Sequence, residues 1–492
     1  MLFTSYGYIF LFIPVTFVGY FGLNYLKLTR LAKVWLGLTS LFFYGYWNPD
    51  YLLLLMGSIV FNYLSAIMIS YHRGRGATSH QTASLLFSVT ANLGLLGYFK
   101  YYDFFVSSIN TAFASDMELL HIVLPLGISF FTFTQIAFLV DTSRGRASEY
   151  SFDNYMLFVT FFPHLLAGPI IHHKEMMPQF DRLRNKFINH KHISKGIYLF
   201  FIGLAKKLVI ADSIAVWANA GFDSGESLSF IQAWETSLAF SFQLYFDFSG
   251  YTDMALGVAM VFNIILPQNF NSPYKAADIQ DFWRRWHMTL SRFLRDYVYI
   301  PLGGNRVGEA GVMANLVLTF VIGGLWHGAG WTFILWGLMH GVALVIHRIW
   351  KISGMEMNRY LGVFVTFMFV NAAWVLFRAP TFDTAIQVYS SMLGLNGFSA
   401  GVAMPMGYLK TALINILSPM NMISVTMKFI WIPFCIYSWI PICMAVVFLM
   451  PNSTQMISKF NPGRRQLVFI GAVMAFLLLR LSTISEFIYY QF

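Results

Sequence analysis

The sequence predicts an all-α protein that crosses a membrane many times, and three observations predict it. Of 492 residues, 57% are hydrophobic and only 11% charged, against roughly 25% charged residues in an ordinary soluble domain. Apolar runs near the roughly 20 residues needed to cross hydrocarbon recur along the whole chain. Between those runs Lys and Arg gather in clusters, as they do on the cytoplasmic side of polytopic proteins. One membrane domain over 1–492 is therefore expected, with no separate soluble domain. The net charge of +10 speaks first about topology and does not imply a nucleic-acid partner.

The first run, Gly7 to Tyr25, is long enough to span. No basic leader or small-residue cleavage site accompanies it, so it is expected to stay as a helix. Further spans are expected near 31–47, 51–69, 84–101, 122–140, 195–216, 230–248, 312–335, 336–350, 361–377, 429–449 and 466–481. Lys27 and Arg30, Arg73 and Arg75, Arg144 and Arg146, and the set from Lys174 through Arg182, Arg184, Lys186 and Lys191 to Lys195 mark the cytoplasmic side.

Three stretches depart from this pattern. Residues 152–171 are long enough to cross, yet both flanks are basic and the run holds Pro163, His164, Gly168 and Pro169. Irregular backbone at membrane depth must be enclosed by protein or line a wet cavity, so a re-entrant loop is expected, with a kinked crossing as the alternative. In 282–298, Phe282, Trp283, Trp286, His287, Leu290, Phe293, Leu294 and Tyr297 follow helical spacing, and Arg284, Arg285, Arg292 and Arg295 fall mainly on the other face. That predicts an interfacial helix with His287 on its buried side. The least hydrophobic long stretch, 379–428, reads as an extracytoplasmic excursion with short membrane-dipping helices. Cys435 and Cys443 share one apolar run and suggest buried thiols. There is no internal repeat.

No phosphate-binding glycine loop, nucleophile-elbow serine or metal-ligand histidine spacing occurs, which disfavours hydrolases built on those motifs and leaves no metal expected. What remains is polar chemistry in apolar surroundings. His327, inside GGLWHGAGW (323–331), is an ionisable ring in a membrane segment and by that fact a functional candidate. Imidazole can take a proton from a hydroxyl and return it to a leaving thiolate, which suits acyl transfer from a thioester. The surrounding glycines fit backbone access to a ligand, and fit tight helix packing as well. Asp247 and Asp253, in LYFDFSGYTDMALG (244–257), could orient a histidine, with Tyr251 as a hydrogen-bond partner, or form a satisfied polar knot. Trp331 follows His327 closely. His340 and His347 read as helix-packing and membrane-edge residues.

Taken together, LPLGISFFTFTQIAFLVD (124–141), FFPHLLAGPIIHHKEMMPQ (161–179), FDFSGYTDMALG (246–257), NFNSPYKAADIQDFWRRWHMTLSRFLRDYVYIPLGGNR (269–306), GGLWHGAGWTFILWGLMHG (323–341), WVLFRAPTFDTA (374–385) and FIYYQF (487–492) resemble the membrane-bound O-acyltransferase superfamily, specifically its alginate O-acetyltransferase (AlgI-like) branch. They cover most of the chain, with the core signature region at about 120–350. The resemblance implies a cylinder of about 11 transmembrane helices around a central funnel or tunnel, with re-entrant and interfacial helices plugging one side. It implies that His327 is the catalytic histidine and that His287 occupies the second signature position, where other branches carry asparagine. It further implies a bacterial inner-membrane location and a periplasmic acetyltransferase or esterase-like partner. Acetyl would pass from acetyl-CoA to an exopolysaccharide, alginate foremost, with cellulose or another envelope glycan as alternatives. A D-alanyl transfer protein for teichoic acids is a more distant relative. On this reading Arg284, Arg285, Arg292 and Arg295, with Trp283 and Trp286 beside them, would receive the coenzyme phosphates. A proton-relaying transporter and a non-catalytic scaffold are the rival classes; inverted repeats would favour the transporter, and acetylation that survives loss of both His287 and His327 would favour the scaffold.

Overall fold

In the computed structural model, residues 1–147, 151–166, 168–398, 436–461 and 463–482 are described. Among them every regular element is helical, as expected where hydrocarbon offers backbone amides no partner and the helix satisfies them from within the segment. Among the described residues, six helical stretches are long and apolar enough to cross a membrane: Gly7–Tyr25, Pro49–Gly74, Thr78–Phe113, Glu309–His327, Trp331–Ile352 and Arg359–Arg378. The protein is a multi-pass membrane protein. The chain divides into two compact units, one of residues 1–200 and 252–268, the other of 201–251 and 269–492.

In the first unit, α1 (Ile13–Tyr25) continues a π-helical turn, followed by α2 (Thr29–Gly45), α3 (Pro49–Gly74), α4 (Thr78–Leu96) and α5 (Tyr102–Phe113). Pro49 opens α3 where no intrahelical N–H is needed, and the Asn48 side chain accepts the Asp50 amide at 2.9 Å. Helix α6 (Ile128–Ser143) is buried on nearly every face. A polar seam binds these helices. Asn62 and Asn92 exchange side-chain hydrogen bonds at 3.1 and 2.7 Å, Gln135 donates to Ser58 at 2.9 Å and Tyr155 to Gln135 at 3.1 Å. Such bonds between membrane helices average about 0.6 kcal/mol each. The last carbonyls of α6 are covered too: Arg73 donates to Thr142 O, and Gln81 to Ser143 O at 2.7 Å.

The stretch expected to re-enter the membrane is not one crossing helix. It forms α7 (Phe152–Thr160), the single turn α8 (Phe162–Leu165) and irregular backbone up to α9 (His173–Asp181). Lys33 of α2 ties it down through Asp153 at 2.7 Å and Asp181 at 2.9 Å. The segment expected to span at 195–216 lies within one continuous helical stretch made of α10 (His190–Ala205), a π-turn and α11 (Asp212–Asp223). Helix α12 (Phe230–Val261) is continuous over 32 residues, and α10 and α12 contribute to both units.

In the second unit, the expected single interfacial helix 282–298 is instead α13 (Ile279–Arg285) and α14 (Met288–Leu294), followed by a π-turn. His287, at the break, takes the left-handed φ of 43°, a conformation uncommon for a residue with a Cβ. The expected spans 312–335 and 336–350 are redrawn as α15 (Glu309–His327) and α16 (Trp331–Ile352), so the chain turns directly after His327. Helices α17 (Arg359–Arg378) and α18 (Phe382–Met392) follow. Beyond residue 398 the expected excursion, Cys435 and FIYYQF lie outside the described residues, while Cys443 is a buried free thiol.

The glycines near His327 serve packing. A Cβ on Gly324 would meet Phe333 O at 2.3 Å, one on Gly337 would meet Phe320 O at 2.3 Å, and one on Gly341 the Val317 Cα at 2.8 Å. The α15–α16 hairpin closes only because these positions lack side chains. Gly337→Ala is therefore expected to destabilise the protein by about 1–3 kcal/mol, as overpacking does, and a fall in apparent Tm followed by tryptophan fluorescence in detergent checks it.

Candidate active site

His327 ends α15 and is 4% exposed. Its ring meets three aromatic neighbours edge to face: Trp326 at 5.0 Å, Trp336 at 5.2 Å and Phe377 at 5.3 Å between centroids. The His287 ring lies 6.2 Å away. The histidines, 40 residues apart in sequence, are thus neighbours within the second unit, brought together by two interruptions of helix rather than by one continuous surface.

His287 is fully buried, and Asn269 holds it. Asn269 Oδ1 accepts the Thr289 backbone amide at 3.2 Å and the Thr289 hydroxyl at 2.9 Å, and lies 3.1 Å from His287 Nδ1. A backbone N–H can only donate, so the atom facing it is the amide oxygen, and His287 Nδ1 must donate to it as well. Burial pushes the imidazole pKa down to about 3, which keeps the ring neutral. Nε2 then carries a lone pair, buried and with no hydrogen-bond partner among the described residues. The Met288 amide donates to Asn269 O at 2.9 Å and completes the support of the break.

Trp336 is 1% exposed and its indole N–H also has no partner among the described residues. The site therefore presents an acceptor on His287 and a donor on Trp336 beside the His327 ring. His340 plays a different part: its Nδ1 accepts the Trp283 indole N–H at 3.2 Å, and its ring packs on Trp336 at 4.8 Å and Phe369 at 5.3 Å.

The other expected site residues fall elsewhere. Asp247, expected either to orient a histidine or to form a polar knot, pairs with Lys207 at 2.7 Å, and Lys207 also pairs with Asp212 at 3.0 Å, which is a knot. Tyr251 is buried on the same helix, and Asp253 is buried in the first unit. Trp331 is 55% exposed at the start of α16, so Trp336 takes the place beside His327. Trp283 and Trp286, expected beside the coenzyme, are core residues here, Trp286 being fully buried against Trp374 and Phe270, each at 5.0 Å. The arginines remain at the surface or partly exposed. Arg285 pairs with Asp281 at 2.9 Å and Arg295 with Asp296 at 2.7 Å. Asn269 and Thr289 were not singled out from the sequence, although Asn269 opens the NFNSPY stretch.

The fold is that of a multi-pass membrane protein with two buried histidines side by side, and comparison with known proteins gives its class. The model of the MBOAT, membrane-bound O-acyltransferase family, matches residues 17–378, and the chain belongs to that family. A peptidoglycan O-acetyltransferase of Helicobacter pylori is 51% identical over 429 residues, 81% of each chain. A Pseudomonas aeruginosa protein named probable alginate O-acetylase AlgI is 39% identical over 402 residues, 80% of this chain and 75% of that one. The teichoic acid D-alanyltransferase of Bacillus subtilis is 28% identical over 275 residues, 52% of this chain and 69% of that one. The protein is an acyltransferase.

Asn269→Ala would leave both the His287 Nδ1–H and the Thr289 amide unpaired. Each buried orphan costs about 1–3 kcal/mol, so a lower apparent Tm is expected together with reduced acyl transfer. Thr289→Val removes one donor and leaves the His287 contact, so it should reduce transfer less; parallel melting curves and turnover assays distinguish them.

Proposed function

We propose that the protein O-acetylates a glycan of the cell envelope, taking acetyl from a cytoplasmic thioester, acetyl-CoA, and delivering it on the far side of a bacterial inner membrane. The observation that carries this reading is the meeting of the buried His327 and His287 among aromatic rings, in a chain whose relatives are named O-acetyltransferase and O-acetylase. Arg284, Arg285, Arg292 and Arg295 offer the coenzyme phosphates a basic surface. Of these, Arg285 and Arg295 would exchange their carboxylate partners for phosphate.

In the proposed step, His327 removes the proton from the acceptor hydroxyl as its oxygen attacks the thioester carbonyl. The carbon–sulfur bond then breaks, and the imidazolium returns the proton to the leaving thiolate. The His287 Nε2 lone pair can accept from a second hydroxyl of the acceptor, and the Trp336 N–H can donate to the oxyanion that forms between attack and departure. The alternative, in which His327 carries the acetyl group as a nucleophile, differs by one covalent intermediate. Acetyl-labelled protein accumulating in the absence of acceptor would favour it.

For the acceptor, the 51% identity to the peptidoglycan enzyme favours peptidoglycan, and the 39% identity to the AlgI protein makes alginate the second reading. A periplasmic acetyltransferase or esterase-like partner completes the path. The direct test is reconstitution of the purified protein with radiolabelled acetyl-CoA, with and without such a partner, followed by locating the label. His327→Ala is expected to lower transfer by at least about 100-fold, the scale of general-base catalysis, while leaving the protein folded and inserted. Normal transfer in that variant overturns the assignment. In cells, deletion should lower ester-linked acetate in peptidoglycan; a loss confined to alginate would select the second reading.

A further inference from the structure

We propose a zinc site formed by Asp141, His172 and His173 in the first unit, independent of the acyl-transfer reaction. Asp141 lies in the last turn of α6, and the two histidines begin α9 after the irregular backbone that follows α8. Their candidate ligand atoms all lie within 4.8 Å of one another. Asp141 is 1% and His173 4% exposed.

The hydrogen bonds show what this cluster lacks. His173 Nε2 lies 3.3 Å from the Arg146 carbonyl oxygen. A carbonyl only accepts, so Nε2 carries the proton and Nδ1 of the neutral ring carries the lone pair. That Nδ1 is buried, has no hydrogen-bond partner among the described residues and faces Asp141 Oδ2 at 3.6 Å. Two acceptors thus face each other in a buried place, an arrangement that a shared cation relieves. His172 Nε2 reaches the same carboxylate oxygen at 2.7 Å, so both imidazoles converge on one atom.

Two imidazoles and a carboxylate suit Zn²⁺, with ligand bonds of about 2.0–2.2 Å and a fourth position for water. The outer contacts fit as well. A metal-bound histidine ordinarily donates its other N–H to a carbonyl or carboxylate, as His173 does to Arg146 O. Binding at His172 Nε2 moves its proton to Nδ1, exchanges the 2.7 Å contact with Asp141 for metal bonds to both groups, and gives up the long contact from the Lys174 amide at 3.4 Å. His172 is 22% exposed and supplies the access path. A zinc ion here would join the end of α6 to the start of α9.

The test uses the full-length protein in detergent, carrying an affinity tag without histidines. After treatment with a chelator and re-addition of zinc chloride, the wild type should retain about one zinc per chain through gel filtration and gain several degrees in apparent Tm. His173→Gln and Asp141→Asn should lose at least about 10-fold in zinc affinity, and the surface variant His80→Ala should behave as wild type. X-ray absorption at the zinc edge of the wild type should show nitrogen and oxygen neighbours with imidazole scattering, a readout that holds even if a variant fails to fold. Zinc retention equal in wild type and His173→Gln, or a zinc environment without imidazole, overturns the site.

Discussion

A backbone amide in hydrocarbon has no water to turn to, and that constraint orders this chain. Where the chain stays helical, each amide is satisfied locally and only side chains need partners. Where it does not, the protein must supply them from elsewhere. The breaks are therefore few, and each is accompanied by buried polar groups. At Trp286–His287, Asn269 takes three donors on one oxygen. Between α8 and α9, residues of α6 and the loop after it meet the chain. After His327, Gly328 and Gly330 turn the backbone into α16. Buried polar groups also meet between unbroken helices, as in the Asn62–Asn92 seam, but at the breaks they must serve the backbone as well.

How much was legible in the sequence follows from the same constraint. The membrane class and most helices could be read because runs of apolar residues report their solvent directly, without knowledge of neighbours. That His327 and His287 belong together was expected from the family resemblance, which makes them its two signature positions. Helix breaks were harder. Phe282, Trp286 and Leu290 fit an unbroken helix by spacing, and nothing in that periodicity shows that His287 adopts a left-handed conformation. That conformation is held by Asn269, from outside the helical stretch. Likewise Asp247 reads as a partner for histidine, but Lys207 meets it from another helix, and a salt bridge between residues 40 apart leaves no periodic trace.

The cluster at Asp141 shows the limit of motif reading. Metal motifs are recognised when their ligands share one helix or loop, as in two histidines four residues apart. Here the adjacent His172 and His173 would point different ways on a regular helix. They converge because His172 is the extended N-cap of α9, with φ of −110° and ψ of 136°, and the third group comes from α6. The composition was visible in the sequence; the geometry belongs to the tertiary fold.

The two histidines of the candidate active site are held by different means, and the difference bears on how they would divide the proposed reaction. His287 is fixed by a polar contact that permits one tautomer, and burial keeps it neutral. A ring so held can accept a hydrogen bond at Nε2, but taking a proton there would create a buried cation close to other uncharged groups. His327 lies among the ring edges of Trp326, Trp336 and Phe377. A proton shuttle must bind and release a proton within one turnover, which one ring nitrogen can do while the other keeps its own proton. On the proposed reading, His327, among Trp326, Trp336 and Phe377, would move the proton, and His287, beside Asn269 and Thr289, would accept a hydrogen bond from the acceptor.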